Sequence, residues 1–124
     1  MRPTDRKYTR EHEWVLEDGQ EIVVGITDHA AEELGDIVYL DLPGAGDEVT
    51  AGESMGSIET VKAVEELFAP VSGEILAVNE DLTDSPETVN ASPYEDGWFI
   101  RIKSSGDAVE LLEAAEYDDM IAGG

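Results

Sequence analysis

No cysteine occurs among the 124 residues, and that absence removes disulfide bridges, thiolate metal centres and cysteine nucleophiles together. Any redox chemistry has to come from a borrowed group. Positive charge is nearly as scarce: 7 Lys and Arg face 30 Asp and Glu, for a net charge of −23. Phosphate contacts need cations, so this balance argues against nucleic acid as a partner and disfavours an anionic lipid surface. Long apolar runs are also missing, which leaves no membrane span and no apolar centre of a secretory signal. The opening from Met1 to Trp14 is charged and polar. The expectation is a protein that stays in the cytoplasm. Histidine occurs twice, as His12 and His29, without the paired spacing of a metal site, and structural hydrogen-bonding roles are expected for both.

Such acidity suits either a disordered chain or a folded one with a charged exterior. Runs such as Ile22-Val23-Val24-Gly25-Ile26 and Trp98-Phe99-Ile100-Arg101-Ile102 mix aliphatics, aromatics and alternation in the manner of buried strands, so the chain folds. At low ionic strength a surface of this charge repels itself. Molar salt shortens the Debye length to roughly 3 Å and relieves that repulsion, which points to a halophilic source. The length suits one compact domain over 1–124.

Most of the chain is predicted as strand. Trp14 to Leu16 and Gln20 to Ile26 flank an Asp18-Gly19 turn of the tight-hairpin kind. Thr27 to Gly35 reads as a short helix with a Thr cap and a Gly stop. Strand character returns at Ile37 to Leu42, then near Glu48 to Thr50, Met55 to Glu59, Val64 to Phe68, Gly73 to Val78 and Trp98 to Lys103. Short strands at this spacing predict a flattened β-barrel or sandwich. Ser85-Pro86 has the chemistry of a helical start, with Ser as cap and Pro at the first helical position. From Asp107 onward Val109, Leu112, Ala115 and Tyr117 predict a terminal helix or a broken helix, with Gly123-Gly124 as a frayed end.

From Glu11 to Ile100 there are 23 acidic residues and one basic residue, Lys62. It lies in Ile58-Glu59-Thr60-Val61-Lys62-Ala63-Val64, midway between two short β-like runs, and is expected at a hairpin tip. An ordinary surface lysine would pair here with Glu59 or Glu66, for about 0.2–1 kcal/mol. The neighbouring sequence favours a different role. Together with Ala69-Pro70-Val71-Ser72-Gly73, the stretch Glu59 to Ala63 resembles the lipoyl-attachment hairpin of lipoyl domains and H proteins. Biotin carriers share that fold but usually flank their lysine with Met, whereas Val61 and Ala63 flank it here.

The resemblance extends over roughly residues 7 to 120. Tyr8-Thr9-Arg10-Glu11-His12-Glu13-Trp14-Val15, Gly25-Ile26-Thr27-Asp28-His29-Ala30, Leu34-Gly35-Asp36-Ile37-Val38, Asp84-Ser85-Pro86, Val89-Asn90 and Ser92-Pro93-Tyr94-Glu95-Asp96-Gly97-Trp98 are similar to segments of glycine cleavage H proteins. The resemblance implies a lipoyl/biotinyl-carrier-like β fold with short helices, and a lipoate joined to Lys62. It also implies a shuttle, not an enzyme. The arm would take an aminomethyl group from a pyridoxal-phosphate glycine decarboxylase to a tetrahydrofolate-dependent aminomethyltransferase, and electrons to an FAD-containing dihydrolipoyl dehydrogenase. A lipoate-attaching enzyme is a further implied partner. By position, Glu13 and Glu66 are implied as contacts to the cargo's amine, while Glu11 stands where a small hydroxyl residue is common.

Three alternatives belong beside this reading: a lipoyl domain of a 2-oxo-acid dehydrogenase complex, an H-like protein that relays lipoyl groups to other proteins, and an unmodified scaffold protein. Gly52-Glu53-Ser54-Met55-Gly56 matches a nucleophile elbow, yet that motif requires a strand-to-helix turn and a later histidine. Both histidines precede Ser54, and a strand is expected after it. Trp14 and Trp98 are expected in the core or a cleft wall.

Overall fold

The computed structural model describes residues 2–123. The chain opens with strands β1 (Lys7–Tyr8), β2 (Glu13–Asp18) and β3 (Glu21–Ile26). The β2–β3 hairpin pairs Asp18 with Glu21, and Gly19 takes the φ of 67° that so tight a turn requires. Helix α1 (Asp28–Leu34) follows. Thr27 caps it by accepting the Ala30 N–H, and Gly35, at φ 76°, ends it. Strands β4 (Ile37–Asp41), β5 (Glu48–Val49), β6 (Ser54–Thr60), β7 (Val64–Phe68) and β8 (Val71–Val78) come next. Two short helices, α2 (Asp81–Asp84) and α3 (Thr88–Ala91), lead to β9 (Ile100–Ala108) and α4 (Ala114–Gly123).

The strands form two antiparallel sheets, one ordered β1-β2-β3-β9-β8-β5 and the other β4-β6-β7, as a flattened sandwich requires. Alternation divides the larger sheet between two cores. Val15 and Val24, paired across β2 and β3, face the main core with Ile58, Leu67, Ile75 and Phe99. Trp14 and Val23 face the other way, into a cluster with Tyr8, Leu112 and Tyr117. Gly25 lies opposite Trp14, and a Cβ there would come within 2.5 Å of the indole, so only glycine fits. Among the described residues no helix is long and apolar enough to cross a membrane.

Three local expectations need correction. The last strand begins at Ile100 and runs to Ala108 instead of spanning Trp98 to Lys103. The terminal helix starts at Ala114 and not near Asp107, because Leu112 exchanges backbone hydrogen bonds with Tyr8 at 2.8 and 2.7 Å. That edge contact holds residues 109–112 extended, with Val109 N–H donating to the Pro70 carbonyl. Ser85-Pro86 forms the turn between α2 and α3, and Ser85 does not cap: Glu87 precedes α3 without a side-chain cap bond. Gly123 closes α4, whereas Gly124 of the expected loose end lies outside the described residues.

Candidate functional site

Lys62 stands at the tip joining β6 and β7, where the last cross-strand pair is Glu59 with Val64. Thr60 ties the tip together. Its buried hydroxyl accepts the N–H groups of Lys62 and Ala63, both at 3.1 Å, and donates to the Ala63 carbonyl at 3.2 Å. Thr60 N–H also donates to that carbonyl at 2.8 Å. The backbone around Lys62 is therefore anchored while its side chain is exposed. Five of the seven basic residues, Arg2, Arg6, Lys7, Arg10 and Arg101, have carboxylate partners. Among the described residues Lys62 and Lys103 have none, so neither Glu59 nor Glu66 pairs with Lys62 as an ordinary surface lysine would.

The stem of Lys62 lies across the end of α1. A Cβ on Gly35 would sit 3.6 Å from the lysine Cε. Asn90, from α3, fixes this corner by donating to the Gly35 carbonyl at 2.8 Å and accepting the Ile37 N–H at 3.1 Å. Val89-Asn90 was visible in the sequence only as part of a resemblance, because a bond between residues so far apart leaves no local pattern.

A cleft of about 670 Å³ runs along the helix. His29, Ala30, Glu33 and Leu34 contribute one face of α1, and Val64 to Phe68 form the opposite wall. Ile26 and Ile58 add apolar floor, and Glu11, Glu33, Glu65 and Glu66 supply acidic groups. Lys62 is outside the lining, at the helix end just past Leu34. At the other end Thr27 N–H donates to the His12 carbonyl at 3.0 Å. Seven helical residues span about 10 Å, so the cleft connects the lysine end of α1 with the segment 11–13.

That segment departs from strand geometry. His12 has φ 69°, a left-handed conformation that costs a non-glycine residue about 1–2 kcal/mol. The kink lets Glu11, His12 and Glu13 all line the cleft, which successive residues of a regular strand cannot do. Thr9 holds the kink: its hydroxyl accepts the N–H groups of Glu11 and Glu13 at 3.2 and 3.1 Å and donates to Glu13 Oε1 at 3.0 Å. Phe68 N–H donates to Glu13 Oε2 at 3.3 Å. Glu13 is 2% exposed. Burial pushes its carboxyl up to about 8, against the opposing pull of the Thr9 and Phe68 hydrogen bonds. The His12 imidazole is held below its ordinary value, first by burial and then by His29.

The structure thus brings Glu13 and Glu66 into one cleft, with Glu66 on its exposed wall and Glu13 buried. Trp14 is in the core and donates from Nε1 to the Pro93 carbonyl at 3.0 Å. Trp98 is half-buried against the second cluster, with the Arg101 guanidinium 5.8 Å from its ring. Ser54 opens strand β6, so the Gly52 to Gly56 stretch is not a strand-to-helix elbow.

A solitary lysine on an anchored hairpin, set on two β-sheets beside a long acidic cleft, defines a swinging-arm carrier whose chemistry resides in a group attached to a side chain. Comparison with known proteins narrows that class. Residues 6–123 match the family described as Glycine cleavage H-protein. The chain is 55% identical over 117 residues to the glycine cleavage system H protein of Anaeromyxobacter sp., covering 93% of this chain and 91% of that one. It is 53% identical over 123 residues to the glycine cleavage system H protein of Chromohalobacter salexigens, with 97% and 94% covered. The crystal structure of a glycine cleavage system H protein from Mycobacterium marinum matches with a TM-score of 0.92 at 41% identity, over 97% of this chain and 98% of that one. The chain belongs to the glycine cleavage H-protein family. It is accordingly a lipoate-bearing shuttle component of that system and not an enzyme in its own right.

Proposed function

We propose that Lys62 carries the lipoyl group as an amide on Nζ, and that the cleft along α1 shelters the arm's amine-bearing cargo. Glu13 and Glu66 are the groups that face that amine. The observation carrying this reading is the isolation of Lys62: an exposed ammonium without a carboxylate partner among the described residues, on a turn whose backbone the Thr60 hydroxyl anchors. The surroundings fit the group. Gly35 leaves room beside the lysine stem, the apolar floor suits a hydrocarbon chain, and the acidic groups suit a cationic end. When bound, lipoate supplies a pair of sulfurs that can carry a one-carbon fragment and electrons.

The chain's own residues present, shelter and release. Thr60 and Asn90 hold the base of the arm, and tethering there raises the effective concentration of the cofactor at a docked active site. Glu13, protonated for much of the neutral range by its burial, changes state when a cation enters. A neighbouring positive charge favours the carboxylate, so Glu13 gives up its proton as the ammonium arrives, and the resulting pair is shielded from water. The exposed Glu66 adds charge with weaker effect.

The docking partners in this reading are glycine decarboxylase with pyridoxal phosphate, the tetrahydrofolate-dependent aminomethyltransferase, FAD-containing dihydrolipoyl dehydrogenase and the lipoate-attaching enzyme. Tyr39, Glu59 and Val64 form one cross-strand row at the hairpin. Tyr39 is 52%, Val64 63% and Val61 67% exposed, an apolar contact area in an acidic field that suits partners with basic rims. The whole chain acts as one carrier domain in the cytoplasm of a halophile, and its melting temperature should rise with added KCl.

The cargo-sheltering role is tested by loading the lipoylated chain from glycine and following loss of cargo after isolation. Glu13→Gln is expected to shorten the lifetime with lipoylation intact. An unchanged lifetime removes Glu13 from the site.

A further inference from the structure

The hydrogen bonds joining Thr27, Tyr117 and His12 have a direction that their surroundings fix. Thr27 Oγ1 accepts the Ala30 N–H at 3.1 Å as the cap of α1. Its own hydrogen has one acceptor within reach among the described residues, the Tyr117 hydroxyl at 2.8 Å. Thr27 is fully buried, so that hydrogen cannot turn to water, and a buried donor without an acceptor is costly. Thr27 therefore donates to Tyr117, and Tyr117 donates onward to His12 Nδ1 at 2.7 Å. A ring nitrogen that accepts carries no hydrogen, which leaves His12 neutral with its proton on Nε2. Protonating Nδ1 would reverse the chain and strand the Thr27 hydrogen.

The charged neighbours pull the other way. Glu11 precedes His12, Glu33 faces it from α1, and Glu65 and Glu66 line the same cleft from β7, whereas Glu13, held protonated by its burial, adds little charge. Carboxylates in that number draw a proton onto an imidazole. His29 of α1, with ring centroids 5.2 Å apart, opposes this. Behind Tyr117, Arg2 lies 5.3 Å from the ring centroid and pairs with Asp28 and Asp118. An imidazolium at position 12 would become the cleft's resident cation and occupy the carboxylates meant for a cargo.

We propose that Tyr117 is a positioning residue of the cleft: its hydroxyl holds His12 uncharged, so that the cleft's carboxylates stay available to a cationic cargo. This use of the cleft rests on the function proposed above, whereas the tautomer does not. Nothing in the primary structure marks Tyr117 for the role, since it comes from α4, 105 residues away.

The test is a ¹⁵N–¹H titration of the His12 ring in the full, unmodified chain and in two variants. In the wild type the neutral Nε2–H form is expected near about pH 7. Tyr117→Phe keeps the stack on Tyr8, whose ring centroid is 5.1 Å away, but frees Nδ1, so the His12 midpoint rises. Thr27→Ser retains hydroxyl and cap and restores the wild-type midpoint. An Nδ1–H tautomer in the wild type, or an unmoved midpoint in Tyr117→Phe, overturns the proposal. In the lipoylated, loaded chain, Tyr117→Phe is expected to lose cargo faster than wild type near about pH 6, and equally fast near about pH 8.5, where the ring is neutral in both. A difference that ignores pH would reflect packing alone and also overturns it. Wild-type retention no longer than that of Glu13→Gln would contradict the cargo-sheltering reading instead, and the ring titration would still decide the tautomer.

Discussion

The two ends of α1 are built on opposite principles. At Gly35 the lysine hairpin spends its hydrogen bonds on backbone and leaves the Lys62 side chain exposed and unpaired. At Thr27 the cleft buries Glu13, fixes His12 in a left-handed conformation and satisfies both carboxyl oxygens of Glu13. The contrast fits the roles proposed for the two ends. A group that must visit other active sites needs a fixed base and a free tip. A group that must hold a cation away from water needs burial, and burial demands that every polar atom be satisfied in advance.

The sharpest way to break the comparison is Lys62→Arg. Arginine keeps the charge and exposure but offers no amine for an amide bond, so lipoyl loading should vanish completely by intact mass. Stability should change by less than about 0.5 kcal/mol, because the side chain is exposed and its one close neighbour, the end of α1 at Gly35, can also take the aliphatic stem of arginine. At the buried end Glu13→Gln should act through stability and pH. The folded carboxyl is pushed up to about 8 from an ordinary 4.5. The wild type therefore holds its full stability relative to the Gln variant below about 4.5, and loses it as pH rises through about 8, by on the order of 3–5 kcal/mol. Denaturant melts of the pair at acid and alkaline pH check this, and a difference that stays constant with pH contradicts it.

Thr60→Val sharpens the account of the hairpin. It deletes the oxygen that closes the tip and should cost about 1–3 kcal/mol, with slower lipoylation because the base is no longer held. Lys103→Gln carries the smallest expectation. Lys103 is exposed and unpaired like Lys62 but lies within β9 and not on a turn, so its loss should leave loading complete and stability within about 0.5 kcal/mol.

Much of the hairpin end was legible in the sequence, and much of the cleft end was not. Lys62 was conspicuous by its charge, Thr27 and Gly35 carried local capping chemistry that the structure reproduces, and Val64 to Phe68 forms a strand over the span read as strand. The kink at His12 had no such marker, since a left-handed position usually announces itself through glycine. Glu13 was marked only by the resemblance, and nothing in charge or spacing set it apart from the other acids as the one that is buried. Strand β1, the late start of α4 and the Tyr117 contact all depend on pairing between the two chain ends, as in the Tyr8–Leu112 bridge. Periodicity cannot reveal partners that are a hundred residues apart.

The most direct test of the central claim is peptide mapping by mass spectrometry of the protein purified from its own host. The account predicts an amide-linked lipoyl increment on the peptide containing Lys62 and a bare peptide containing Lys103. A consistently unmodified Lys62, in cells that lipoylate other proteins, would contradict it.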